Sequence, residues 1–207
     1  VGSTASKCVI LKDGSEIVAK SLVAVGTGTS GPSRAIAQVL ENAGMTREQM
    51  DFVLATGYGR NSLDGLADMQ MSAAGTGRFL DVMARVLEVK VEELGDLGDK
   101  STKEVGISST CTVFAESEVI SQLAMGTNKC DIIHGIHKSV AGRVSGLCHR
   151  IGVRDDVVMT GGVAQNHGIV KALQEQLGHE IHTTPLTQYN GALGAALFAY
   201  QKALKNK

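Results

Sequence analysis

At 207 residues, 43% of them hydrophobic, the chain is long enough to bury a substantial core, either as one large domain or as two small lobes. Its 20 basic and 21 acidic side chains leave a net charge of −1 without long runs of one sign, which excludes the electrostatic footprint of a nucleic-acid or anionic-lipid binder. Aromatic residues at 3%, with no tryptophan, exclude a platform for stacking bases or sugars.

The chain opens with apolar runs at Cys8 to Leu11 and Glu16 to Val25. Between them Lys12-Asp13-Gly14-Ser15 carries an Asp-Gly pair, which predicts a β-hairpin. Gly26-Thr27-Gly28-Thr29-Ser30-Gly31 ends the hairpin, and Pro32 suits the first turn of a helix over Ala35, Ile36, Val39 and Leu40 to about Ala43. Asp51 to Ala55 reads as a short buried strand running into Thr56-Gly57-Tyr58-Gly59-Arg60, a strand-to-loop-to-helix transition of the kind that positions ligands in α/β proteins. Around Met69-Gln70-Met71 a helical pattern runs directly into a glycine loop. Helical spacing follows at Phe79 to Val89, Glu116 to Leu123, Ile132 to Ile151, Ile169 to Leu177 and Gly194 to Ala203, with strands at Val157 to Thr160 and Glu180 to Thr183. Strands and helices interleave, so the predicted class is α/β.

No apolar run approaches the roughly 20 residues that span a bilayer, and Val1-Gly2-Ser3 has neither the charged nor the apolar part of a secretion signal, so a cytoplasmic location without a membrane partner is expected. Cys8, Cys111, Cys130 and Cys148 lack the CxxC spacing of a zinc site and the density of a disulfide framework. The segment Ile107-Ser108-Ser109-Thr110-Cys111-Thr112-Val113-Phe114-Ala115-Glu116-Ser117-Glu118 sets one cysteine in a small polar turn just ahead of an amphipathic helix. The unpaired N–H groups and dipole of a helix N-terminus favour a thiolate, which suits the sulfur to metal or iron–sulfur ligation. Taken alone, the segment also fits a buried structural cysteine. Cys130 and Cys148 fall on a helical stretch and are read as structural; His134 and His137, one turn apart without a third ligand, are read as a solvated pair. Glu116 and Glu118 are read as residues answering the helix dipole.

Three glycine loops stand at strand ends or helix starts: Gly2-Ser3-Thr4-Ala5-Ser6-Lys7, Ala73-Ala74-Gly75-Thr76-Gly77-Arg78, and Thr160-Gly161-Gly162-Val163-Ala164-Gln165-Asn166. Each can offer backbone N–H groups to a phosphate or let the chain pass close to an adenosine. None has the spacing of a Walker A loop or of GxGxxG, and singly each is no more than a turn; their co-occurrence is the signal.

These loops, together with Thr56 to Asn61, Ala73 to Asp81, Ser108 to Gln122, Met159 to Asn166 and Tyr189 to Ala196, resemble the activator component of 2-hydroxyacyl-CoA dehydratases, most closely the 2-hydroxyglutaryl-CoA type, over nearly the whole chain. The resemblance implies an actin/hexokinase/Hsp70-like ATPase fold, with two ribonuclease-H-like lobes closing on ATP. Residues 1–72 would be the N-terminal part of the first lobe, and 73–207 the second lobe plus a C-terminal return helix. It implies a homodimer sharing one [4Fe–4S] cluster, with magnesium and ATP or ADP as further cofactors. Its partners would be a dehydratase component and a low-potential donor such as ferredoxin or flavodoxin. Carried over by residue, Ser3, Thr4, Ala5, Ser6 and Lys7 would line the phosphates, and Gly75, Thr76 and Gly77 would face the nucleotide from the second lobe. Gly161, Gly162 and Gln165 would lie near the nucleoside with Gln188 beside them, and Cys111 would ligate the cluster.

The chain departs from that family twice. The family's first strand ends in an Asp that helps hold magnesium, just ahead of the first Gly, and here the sequence starts after it. In the family a long segment follows Met71-Ser72, with a second acidic phosphate loop of the form Asp-Ile-Gly-Gly-Gln-Asp and a second cluster cysteine; here Ser72 is joined directly to Ala73. Without both acidic loops nucleotide binding should weaken and hydrolysis be largely lost. Losing the family's hairpin should expose a sheet edge. Two rival readings follow: a shortened remnant keeping only fold and dimer surface, and a small-molecule kinase of the same superfamily. The kinase needs an Asp poised over an acceptor hydroxyl, for which the sequence offers no convincing candidate. A serine hydrolase is unsupported, because GxSxG is absent.

Overall fold

A computed structural model of the chain describes residues 1–2, 4–57, 59, 69–71, 76–108 and 112–205. It divides into two compact units, Val1–Arg78 with Gln188–Lys207, and Phe79–Thr187.

The first unit is built on the predicted hairpin. Strands β1 (Ser6–Lys12) and β2 (Glu16–Val23) pair antiparallel from Ser6↔Val23 to Lys12↔Glu16, with a register shift between Ile10 and Leu11. Asp13 and Gly14 both take positive φ, 52° and 72°, and Ser15 N–H donates to Lys12 O at 3.2 Å. That is the type I′ geometry that matches strand twist and favours Asp-Gly. Helix α1 (Gly31–Ala43) has Pro32 in its first turn and ends at Gly44 in the left-handed region, where the Gly44 N–H reaches Glu41 O. It lays Ala35 and Val39, one turn apart, against β1 and β2. A Cβ on Gly31 would come 2.1 Å from Val25 O, so glycine is required where the helix crosses the hairpin exit. Short strands β3 (Leu54–Thr56) and β4 (Met69–Met71) pair in parallel, and the C-terminal helix α7 (Asn190–Lys205) packs on β1 and β3, burying Ala195 and Ala199.

The second unit is helical around one core. It contains α2 (Gly77–Val86, continuing from the first unit), α3 (Leu94–Gly98), α4 (Thr112–Ala124), α5 (Lys129–Ile151) and α6 (His167–Leu177). Two-residue parallel strands β5 (Val157–Val158) and β6 (Ile181–His182) accompany them. Ile132, Ile133, Ile136 and Val140 form the inward stripe of α5 and pack with Met83, Leu87, Leu94 and Val119. Each such side chain stabilises the fold by roughly 1.5–3 kcal/mol through burial. A second cluster, Ala141, Ala172, Leu173, Leu177 and Ile181, joins α5 and α6 to β6. Among the described residues, no helix is long and apolar enough to cross a membrane.

Several expectations change. Met69–Met71 is a strand and not the end of a helix: its register with Leu54–Thr56 supplies ladder bonds that three-residue periodicity cannot reveal. Asp51 to Val53 lie outside β3, and the strands near 157 and 181 shrink to two residues each. Cys130 and Cys148 sit on α5 as predicted but are half-exposed. His137 is not solvated; it is 2% exposed, enclosed by α3, α5 and α6. Glu118 does not answer the dipole of its own helix; its carboxylate accepts from the Ser108 N–H in the preceding loop.

Candidate functional site

In the first unit three loops converge. The Val1 N-terminal nitrogen donates to Thr56 O (2.7 Å), Gly59 N–H donates to Val1 O (3.0 Å), and Thr27 N–H donates to Gly2 O (3.1 Å). The glycine turn at the start of β1 is therefore held between Gly26–Gly31 on one side and Thr56–Gly59 on the other. Two glycines permit this approach. Gly57, at φ 95°, would set a Cβ 2.4 Å from Val1 O, and a Cβ on Gly59 would lie 2.3 Å from Thr27 Cβ. Thr29 ties the second loop, its hydroxyl donating to Gly26 O and accepting from Gly31 N–H.

Gly2 N–H donates to Ala5 O (2.9 Å), closing a turn that carries Thr4 and Ala5, both half-buried. Ser6 points inward: it is 1% exposed and its hydroxyl donates to Val25 O at 3.0 Å. Lys7 is half-buried, and burial draws its ammonium below the usual lysine range. A partly desolvated ammonium beside backbone N–H groups is suited to a phosphate, which would restore its counter-charge. Gln188 lies half-buried in the turn before α7. Thr76 and Gly77 open α2, where unpaired N–H groups favour an anion. Ser3, Gly75 and Cys111 lie outside the described residues, as do Tyr58, Arg60 and Asn61. Helix α4 begins at Thr112, the residue after Cys111.

In the second unit the glycine turn follows β5 directly. Gly161, at φ 98°, donates its N–H to Thr187 O (2.8 Å), while Thr187 Oγ1 donates to Met159 O (3.1 Å). The residues Gly162–Gln165 make a 3-10 turn closed by Ala164 N–H to Gly161 O and Asn166 N–H to Val163 O. A Cβ on Gly161 or Gly162 would meet nothing within 4 Å, so this backbone faces open space and a ligand can lie directly on it. Gln165 is exposed beside it.

The sequence reading missed Asn166 and His137. Asn166 Oδ1 accepts from Ile169 N–H at 3.1 Å and caps α6; an Asn just ahead of a helical pattern is the available signal. His137, 29 residues away on α5, lies within 3.4 Å of Asn166 Nδ2 and leaves no trace in spacing. Burial, with His134 and His167 nearby, lowers its pKa to about 4 against the opposing effect of Asp99. Among the described residues no three His, Cys, Asp or Glu side chains gather as a metal site.

A profile described as the BadF/BadG/BcrA/BcrD ATPase family matches residues 1–73 and 68–199. The chain is 61% identical to the (R)-2-hydroxyglutaryl-CoA dehydratase activating ATPase of Acidaminococcus fermentans, covering 99% of this chain and 96% of that protein. That alignment runs over 251 positions against the 207 residues here, so at least 44 positions of the relative have no counterpart in this chain. The activator of lactoyl-CoA dehydratase from Anaerotignum propionicum is 44% identical, over 99% of this chain and 97% of that one. Among solved structures, the activator of the 2-hydroxyisocaproyl-CoA dehydratase from Clostridium difficile with bound ADPNP superposes with a TM-score of 0.89 at 44% identity, over 100% of this chain and 94% of that one.

Proposed function

The chain belongs to the BadF/BadG/BcrA/BcrD ATPase family, and on that footing we propose that it is an ATP-dependent activator of a 2-hydroxyacyl-CoA dehydratase. The observation that carries the reading is the convergence of Gly2–Lys7, Gly26–Gly31 and Thr56–Gly59, made possible by glycines that admit no side chain. Thr4, Ala5 and Lys7 are assigned to phosphate, with Ser6 fixing the strand behind them. Thr76 and Gly77 are assigned to the nucleotide from the helix tip, and Gly161, Gly162, Gln165 and Gln188 to the nucleoside. ATP performs no chemistry on the dehydratase substrate; its differential binding to two states of the activator drives the change.

The activator is proposed to work as a homodimer in the cytoplasm. Val113, Phe114 and Ile120 support that, because they leave large apolar side chains in solvent on α4, the helix that follows Cys111 in the sequence. Cys111 would supply one thiolate per protomer, two per dimer, where a [4Fe–4S] cluster ordinarily takes four. Cys8, Cys130 and Cys148 gather with no further ligands among the described residues. This donor set does not complete the cluster, and the acidic phosphate loop that the family carries between Ser72 and Ala73, which would help hold magnesium, is not in the sequence. One-electron transfer from a donor such as ferredoxin or flavodoxin to the dehydratase is therefore assigned to a form in which the segment between Ser72 and Ala73 is present.

The test compares the 207-residue chain with a form whose segment is restored from the Acidaminococcus relative, each supplied anaerobically with ATP, a low-potential donor and dehydratase. The restored form should drive conversion of a 2-hydroxyacyl-CoA and lose iron on Cys111→Ala, while the 207-residue form binds ADP without driving conversion. Iron content unaffected by Cys111→Ala contradicts the reading. The at least 44 unmatched positions favour one second reading, a shortened remnant that keeps the fold and dimer surface alone. Under it the 207-residue chain binds no nucleotide.

A further inference from the structure

Asn166 stands where the glycine turn meets α6, and both ends of its amide are engaged. The Ile169 N–H at the start of α6 is shared between the Asn166 backbone carbonyl and the side chain, each at 3.1 Å; only an oxygen can accept from it, so Oδ1 faces it and Nδ2 faces His137 Nε2 at 3.4 Å. An amide nitrogen only donates, so Nε2 must accept, and the imidazole is neutral with its proton on Nδ1.

The surroundings hold the ring in that form. A Cβ on Gly98 of α3 would come 2.6 Å from His137 Cε1, and one on Gly168 of α6 would come 2.5 Å from it, so the ring is wedged between two backbones that only glycine can provide. The positive end of the α6 dipole lies against the ring and disfavours an imidazolium. The charged or titratable groups around it are His134 on the same helix, His167 on α6, and Asp99 just past the end of α3, which is itself engaged 2.9 Å from His167 Nε2.

We propose that His137 is a positioning residue for the nucleotide turn: by accepting from Asn166 Nδ2 it fixes the amide's orientation, keeps Oδ1 on the α6 N-terminus, and holds Gly161–Gln165 in the shape that receives the nucleoside. Losing the acceptor frees the amide to rotate its NH2 toward the helix N–H groups, where donor meets donor. The Asn166 N–H to Val163 O bond that closes the turn (3.0 Å) then loses its anchor. The inference rests on the proposed nucleotide function and deepens it.

Calorimetry with ADP on four proteins, together with 15N NMR of the histidine rings, tests it. In the wild type His137 should show a protonated Nδ1 and a bare Nε2. His137→Leu keeps apolar bulk without the acceptor and should weaken ADP binding about fivefold or more, the worth of one hydrogen bond. His137→Gln, whose carbonyl can accept near the same place, should recover most of that loss. Asn166→Asp keeps the cap but replaces the donor, and should move the His137 proton to Nε2. A wild-type ring already protonated at Nε2, or ADP binding undiminished in His137→Leu, overturns the inference alone. A wild-type chain that does not bind ADP overturns the proposed function and this inference with it.

Discussion

Glu118, in the second turn of α4, places Oε2 2.5 Å from the backbone N–H of Ser108, while Ser139 on α5 donates its hydroxyl to Ser108 O at 3.1 Å. Both backbone polar groups of Ser108 are thus gripped by helices, three residues ahead of Cys111 in the sequence. Glu118→Ala removes a charge-assisted acceptor from a half-buried N–H and should cost about 1–2 kcal/mol. Differential scanning calorimetry should register it as a fall in Tm of about 2–4 °C per kcal/mol for a chain of this size. Glu118→Gln, which keeps an acceptor oxygen, should recover part of it.

His137 sets a pH dependence whose sign is fixed by its burial. Its folded pKa of about 4 lies below the ordinary value of 6.5, so between those values the unfolded chain binds a proton that the folded chain refuses. Stability should be constant above about pH 6.5 with respect to this group, and fall as the pH drops from there toward 4. Urea titrations at pH 7.5, 6 and 5 measure it: His137→Gln should flatten the part of the slope that belongs to this ring, and an unchanged slope contradicts the assignment.

The two glycines of the second turn should separate strain from ligand access. Gly161, at φ 98°, cannot take a side chain without backbone strain, and Gly161→Ala should destabilise by about 1–2 kcal/mol. Gly162 has no such φ and open space at its Cβ position. Gly162→Ala should leave Tm unchanged within about 1 °C and still weaken ADP binding, because the added methyl meets only the ligand. A stability loss in Gly162→Ala, or unaltered ADP affinity, would count against placing the nucleoside there.

The apolar stripe of α4 should disperse the dimer when charged. Phe114 is 65% exposed and Ile120 51%, so Phe114→Glu with Ile120→Glu removes no core contact. Light scattering should find the wild type as a dimer and the double variant as a monomer of near-native Tm. A monomeric wild type at micromolar concentration defeats the homodimer.

Much of this architecture is legible in the chain because its signals are local. Asp13-Gly14 announces the hairpin, Pro32 the start of α1, and the Ile132-Ile133-Ile136-Val140 stripe the buried face of α5. The glycine loops could be found by composition, yet what they touch could not. Gly57 and Gly59 are explained only by Val1 and Thr27, more than 30 residues away along the chain. Met69–Met71 misleads for the same reason, since a three-residue strand is defined by its partner and not by its own pattern. His137 is the sharpest failure: polar residues are mostly exposed, and nothing in its neighbours tells that Gly98 and Gly168 make room for its ring.

The central claim, that these loops hold a nucleotide although the family's acidic loop between Ser72 and Ala73 is missing, is tested most directly by titrating ADP into the 207-residue chain by isothermal calorimetry. The chain's intact mass should be checked first against 21.6 kDa. The account predicts a saturable isotherm of one ADP per chain, weaker than that of the segment-restored form, with no phosphate release when ATP is supplied in its place. A flat isotherm at millimolar ADP from folded protein would contradict it.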